Sequence, residues 1–308
     1  MTITMADKQP ATLPAFLSEY LDARRSLVEE ALLASLDKHV QPGRLREAMS
    51  YSLQAGGKRL RPILCMAAAE SVGGEAGQTL PAGCALEMIH TYSLIHDDLP
   101  AIDNDELRRG QPACHVAFDE ATAIFAGDAL HTLAFQILSS PEYDHLDSEI
   151  QIPLINAIAR ATGTDGMIEG QMRDILAQSA RLDKKALQEI HNLKTGALIR
   201  AAIYAGALIG GGDNQQLAQL DTYAGHIGLA FQVMDDLLDV QGDPVLMGKE
   251  AGADQRRSKA TYPGLLGAEG SRELAEELVK NSLLAIESFD IKAEPLRILA
   301  GYIVERQY

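Results

Sequence analysis

Apolar residues recur along this chain at intervals of three and four, the spacing that puts them on one face of an α-helix. Residues 15–36, "AFLSEYLDARRSLVEEALLASL", and 45–56, "LREAMSYSLQAG", follow that pattern, the second running into the glycine pair Gly56-Gly57. Residues 84–99, "CALEMIHTYSLIHDDL", are apolar on most sides, which predicts a buried central helix. Residues 120–140 share the period and are rich in small side chains that permit close helix approach. Further helical spans are predicted over about 148–162, 164–179, 184–209, 215–240, 270–287 and 293–306. Breaks at 71–79, 141–148 and 210–214 are short, whereas 242–263, "GDPVLMGKEAGADQRRSKATYP", is long and irregular. Loops of that length are usually functional or disordered. No run alternates with strand period and no shift of composition marks a boundary. The expectation is one all-α domain over 1–308, a bundle of about ten helices around a central cavity. Residues 1–14 are expected to be a flexible N-terminal segment.

Composition agrees with a folded helical globule: 46% of the 308 residues are hydrophobic, 23% charged, and only 5% aromatic with no Trp. The net charge of −16 repels nucleic acid and anionic membrane surfaces, so neither is an expected partner. It does not exclude an anionic substrate if bound cations supply local positive charge. The three cysteines, Cys65, Cys84 and Cys114, lack zinc-ligand spacing and suit a reducing compartment. No signal-peptide pattern and no run near the ~20 apolar residues of a membrane span is evident, which makes a cytoplasmic protein without stable membrane insertion the expectation.

Charge clustering changes the picture. "DDLPAIDNDELRR" packs Asp97, Asp98, Asp103, Asp105 and Glu106 ahead of Arg108 and Arg109. Like charges this close raise one another's pKa unless a cation separates them. Pro100 should loosen or end the helix and let the chain bring Asp103 back beside Asp97. A second cluster, "FQVMDDLLD", holds Asp235, Asp236 and Asp239; residues 235 and 239 lie on one helical face, set in an apolar wall. Oxygen-only ligands of this kind suit Mg²⁺ or Ca²⁺. Arg108 stands where a calcium loop needs Gly, which argues against that motif. Taken singly, each cluster also reads as a solvated acidic helix end. Basic residues accompany both: Lys58, Arg59 and Arg61 in "GGKRLRP", Lys194 with Thr195 inside an apolar stretch, and Lys249 and Lys259 in the long loop. "GGKRLRP" is not a P-loop, since Arg59 follows the lysine. Carboxylates and cations in this arrangement are the usual design for a bound polyphosphate.

The ordered motifs "GGKRLRP", "EMIHTYSLIHDDLP", "LRRGQPACH", "AGDAL", "GQMRD", "KTGALI", "FQVMDDLLD" and "SKATYP" resemble the trans-isoprenyl diphosphate synthases, most closely the bacterial farnesyl diphosphate synthases. The likeness covers roughly 45–267 and implies the isoprenoid synthase fold, usually as a homodimer. It implies Mg²⁺-dependent, head-to-tail condensation of isopentenyl diphosphate with an allylic diphosphate, giving farnesyl diphosphate or, alternatively, the C10 or C20 product. By that resemblance, Asp97 and Asp103 hold two Mg²⁺ ions and Asp235 a third, with Asp239 and Asp236 supporting, Asp98 among the catalytic residues, and Mn²⁺ as a substitute. Arg108, Lys194, Lys249 and Lys259 would hold the allylic diphosphate. Lys58, Arg61, His90 and Arg109 would form the isopentenyl diphosphate site, and Thr195 and Gln232 would face the reacting carbons. Gln171 and Asp174 either line the cavity or pack helices. Tyr92, five residues before Asp97, would set the floor that limits product length, since one isoprene unit spans about one helical turn, roughly 5.4 Å. Terpene cyclases and non-catalytic relatives, which share the fold, usually lack one of these intact motifs. Asn104 departs from the family pattern, as do Arg256 and Arg257 in the long loop.

Overall fold

The computed structural model describes residues 15–140, 146–178, 182–241 and 259–305. The expectations for 1–14, and for Lys249, Arg256 and Arg257, lie outside them. The fold is all-α, as the apolar period predicts. Its helices are α1 (Ala15–His39), α2 (Arg44–Gln54), α3 (Leu60–Ser71), α4 (Leu80–Asp97), the single turn α5 (Cys114–Ala117) and α6 (Glu120–Leu138). They continue as α7 (Ser148–Thr162), α8 (Met167–Leu176), α9 (Lys184–His191), α10 (Ala197–Ile209), α11 (Asn214–Gln241), α12 (Tyr262–Ala285) and α13 (Glu294–Glu305). Two-residue strands Leu107–Arg108 and Gln111–Pro112 form a small antiparallel hairpin.

Three expectations of element placement are corrected. Residues 60–71 form α3, which the pattern reading left out because the glycine pair and Pro62 read as loop. Pro62 falls in the first turn, where its missing N–H has no intrahelical partner to lose. The expected single helix over 184–209 is two helices joined by a π-turn at Asn192–Gly196. α12 begins earlier than expected, where Thr261 caps it by accepting from the Gly264 N–H.

Two apolar clusters organise the bundle. One gathers Leu32, Met49, Met88, Tyr92, Leu130 and Leu154 between α1, α2, α4, α6 and α7. The other gathers Ile63, Ile203, Ile227, Val233, Leu278 and Leu296 between α3, α10, α11, α12 and α13. α3 and α10 pack on each other and contribute to both. The buried Tyr223 donates its hydroxyl to the Leu296 carbonyl at 2.6 Å, tying α11 to α13 and satisfying a phenol that would otherwise be costly to bury. α6 is long and apolar enough to cross a membrane, contrary to the expectation that no segment would be. Its Ala123, Ala126, Gly127, Leu130 and Ala134 are buried in the bundle, with α4 its main neighbour.

Candidate active site

The first acidic cluster is built by the way α4 ends. α4 stops at Asp97, and Pro100 follows in a tight turn. The Asp103 N–H donates to the Asp97 carbonyl at 2.9 Å, and the Asn104 N–H to that of Leu99 at 3.1 Å. Asn104 is left-handed, φ 52°, a conformation Asn tolerates better than most residues. That gives the departure at Asn104 a backbone reason. Asp97 and Asp103 are thus brought together as the Pro100 argument predicts. Asp98 is different: it is buried, and its carboxylate accepts from Arg108 Nε at 3.0 and 3.1 Å and from Arg108 Nη2. Asp98 and Arg108 therefore tie the turn to the hairpin. Asp105 lies 3.6 Å from Arg108 at the periphery.

The facing wall comes from α8 and the π-turn. Lys194 Nζ is 2.7 Å from Asp174 Oδ2. Lys259 Nζ lies 3.6 Å from the same oxygen and 3.5 Å from Asp103 Oδ1, so it bridges the two walls. Burial works against charge on Lys194, but Asp174, Asp97 and Asp103 outweigh it and raise its pKa. Burial likewise raises Asp174, and the two lysines reverse this and hold it below its ordinary range. Asp174 is a counter-ion to both lysines, where the resemblance left lining the cavity and packing helices both open. Within this wall α8 can approach the π-turn closely because it carries Gly170 at the crossing: a Cβ there would overlap the Lys194 backbone nitrogen and Cα. Gly170→Ala is expected to lower stability by about 1–3 kcal/mol through overpacking. Gly301→Ala, on α13 with open space around it, should leave stability unchanged or raise it. Thermal melting of both variants checks this; equal behaviour would contradict the close crossing.

The second acidic cluster splits by role. Thr195 Oγ1 donates to Gln232 Oε1 at 2.9 Å, and Gln232 Nε2 donates to Asp236 Oδ1 at 2.9 Å. Asp236 Oδ2 accepts from the Tyr262 N–H at 3.0 Å, with His191 Nε2 3.6 Å away. Asp236 is thus held by the protein, fixing the Gln232 amide and the start of α12. Asp235 is half-buried and Asp239 buried on the same helix.

The basic side lies between α2, α3 and α4. Lys58 is exposed, Arg61 half-buried, and Arg109 donates to the Gly56 carbonyl. His90 is driven well below the usual imidazole range, by burial and then by the positive charges of Arg61, Arg109, Arg108 and Arg59, so it is neutral at pH 7. A neutral imidazole among cations can give a hydrogen bond to an anion without adding charge. Arg59 is buried, and its partners are Glu87, Glu29 and the Leu53 carbonyl.

The donor set fits Mg²⁺. All candidate ligands are carboxylates, and Asp97 is pushed up to about 6 by burial and by Asp103 and Asp98, with Lys194 and Arg108 opposing. A carboxylate in that state is short of positive charge. Among the described residues no three potential ligands already converge. Mg²⁺ is usually held by one or two carboxylates together with substrate phosphates. Tyr92 is buried one turn and more above Asp97, its ring 4.7 Å from that of His131 and 5.5 Å from that of His96. Pattern reading of α4 alone could not supply His131, which comes from α6.

A family model described as polyprenyl synthetase matches residues 42–290. The chain is 48% identical over 264 residues to a farnesyl diphosphate synthase of Escherichia coli, covering 84% of this chain and 88% of that one. It is 42% identical over 291 residues to a geranylgeranyl diphosphate synthase of Cyanophora paradoxa, covering 94% and 96%. The solved structure of a geranyltransferase from Legionella pneumophila superposes with a TM-score of 0.83 at 34% identity, covering 94% of this chain and 97% of that one. A match over so much of the chain, on the same all-α architecture and with both aspartate motifs in place, makes this chain a member of the polyprenyl synthetase family.

Proposed function

We propose that this prenyltransferase condenses isopentenyl diphosphate with dimethylallyl diphosphate and then with geranyl diphosphate, releasing farnesyl diphosphate and inorganic diphosphate. The observation that carries the reading is a pair of distinct cationic sites. Lys194 and Lys259 stand among Asp97, Asp103 and Asp174; Arg61 and Arg109 gather their charge about the neutral His90, and Lys58 lies three residues before Arg61 in the chain. Two diphosphates of different chemistry need two such sites.

Asp97, Asp103, Asp235 and Asp239 would hold Mg²⁺, three ions by the family pattern, with Mn²⁺ able to substitute. The metal supplies Lewis-acid neutralisation of the leaving diphosphate. Lys194 and Lys259 would turn from Asp174 toward that diphosphate, aided by Arg108 and, on the resemblance alone, Lys249. The allylic C–O bond breaks with its electron pair leaving on diphosphate. Thr195 and the Gln232 carbonyl, held by Asp236, offer dipoles to the allylic cation without trapping it. The isopentenyl double bond attacks that carbon, and the adjacent proton leaves to an oxygen of the departed diphosphate. Asp98 braces Arg108. The buried Tyr92 favours the C15 product over the C20 alternative. The protein is read as a cytoplasmic single domain, without stable membrane insertion or nucleic-acid partner, acting as a homodimer. Exposed Ile124 and Phe125 on α6 are apolar area that such pairing could cover.

The test is incubation with isopentenyl and dimethylallyl diphosphates and Mg²⁺, followed by determination of product carbon number. Farnesyl diphosphate is the expected product. No condensation would overturn the reading, and a C20 product would overturn the role given to Tyr92.

A further inference from the structure

Glu87 lies on α4, one turn before His90, and is 1% exposed. A carboxylate so buried is costly unless paired. Its Oε1 accepts from Arg59 Nη1 at 2.9 Å. Arg59 is itself buried, and its guanidinium also donates to the Leu53 carbonyl at 2.6 Å and to Glu29 Oε1 at 3.3 Å. One side chain thus links α1, α2 and α4. Its backbone is left-handed, φ 49°, which is strained for a residue with a Cβ. Strain of this kind persists only where surrounding contacts over-determine it, and it gathers at functional sites. The position is decisive: Arg59 precedes the first residue of α3, and its carbonyl accepts from the Ile63 N–H at 3.1 Å. The direction the chain takes at Arg59 therefore sets where Lys58 and Arg61 point.

The second carboxylate oxygen, Glu87 Oε2, is buried without a hydrogen-bond partner among the described residues, and so is Arg61 Nε. Burial holds the Arg61 guanidinium below its usual range, and Glu87 is the largest charge opposing that effect. One buried negative charge therefore sits among Arg59, Arg61 and Arg109. Guanidinium groups this close repel without a counter-ion, yet a diphosphate pocket needs them gathered.

We propose that Glu87 is a positioning residue for the isopentenyl diphosphate pocket: it locks Arg59 in its left-handed turn and so presents Lys58 and Arg61 to the ligand. The proposal rests on the reading of Lys58, Arg61, His90 and Arg109 as that pocket. Glu87 contacts no substrate in this role; it acts through Arg59.

The test is steady-state kinetics of Glu87→Gln, which keeps the shape and removes the charge. KM for isopentenyl diphosphate is expected to rise about tenfold or more, as for loss of a charged hydrogen bond. KM for dimethylallyl diphosphate should stay within about twofold. Arg59→Gln should do the same, and the double variant should be no worse than the more affected single one, because both break one contact. A merely structural role would lower the melting temperature while leaving both KM values alone, and that result overturns the proposal. So does an equal rise in both KM values, or a fully additive double variant. If Glu87→Gln melts below the assay temperature, Glu87→Asp carries the test: it must raise the same KM selectively, and a wild-type ratio overturns the idea. Failure of the wild type to condense the two substrates would instead remove the functional reading, and this proposal with it.

Discussion

Asp97→Asn is expected to lower kcat by about a thousandfold, equivalent to ~4 kcal/mol of lost charge stabilisation around the leaving diphosphate. The same change should stabilise the metal-free protein at neutral pH. Burial, together with Asp103 and Asp98, pushes the Asp97 carboxyl from its ordinary 3.8 to about 6. A folded-state pKa above the unfolded one means the group's contribution is fully present below about pH 4 and is lost as pH rises through about 6. At pH 7.5 the ionised carboxylate then costs the fold up to ~3 kcal/mol. Asn cannot ionise and escapes that cost. Thermal melts in chelator should place Asp97→Asn above the wild type at about pH 7.5, with the gap closing below about pH 4. Adding Mg²⁺ and inorganic diphosphate should stabilise the wild type and not the variant. An Asn variant equally destabilised at both pH values would show that Asp97 carries no such electrostatic load.

Tyr92→Ala should extend the product beyond C15. The ring is 7% exposed, so its removal leaves a cavity rather than a surface notch, at a cost of about 3–5 kcal/mol. One isoprene unit occupies about a helical turn, roughly 5.4 Å. His131 stands against that ring, and the Phe135 ring lies 5.4 Å beyond His131 along α6. The single truncation should therefore favour C20, and Tyr92→Ala/His131→Ala should admit longer chains. Tyr92→Phe, which keeps the ring, should still give C15. Chromatography of dephosphorylated products reads this directly. A Tyr92→Ala enzyme making only C15 would show that the floor lies elsewhere.

Much of this site can be read along the chain, and the unread part has a common physical cause. The turn after Asp97 was legible because proline and two carboxylates six apart constrain local backbone. The paired face of Asp235 and Asp239 followed from helical period alone. α3 was missed because glycines and a proline at its start mimic a loop, although an apolar run continues from Ile63 through Ala69. The π-turn at Asn192–Gly196 leaves no mark in residue spacing, so Lys194 and Thr195 read as interruptions of one helix. Asp174 against Lys194, His131 against Tyr92, and Glu87 against Arg59 join residues 20 or more positions apart. Such contacts are set by how helices cross, and a period along one helix carries no information about its neighbour.

The two apolar clusters have an evolutionary consequence. Tyr92 belongs to the α4–α6 cluster, whereas α11, which carries Gln232, Asp235 and Asp239, packs into the other. Substitutions at Tyr92 would repack the cluster that α11 does not enter, so their effects should be nearly additive with those of substitutions at Gln232, Asp235 and Asp239. A lineage could then drift between short and long products without passing through an inactive intermediate. Farnesyl- and geranylgeranyl-forming relatives at 48% and 42% identity to the same chain are what such independence would leave behind.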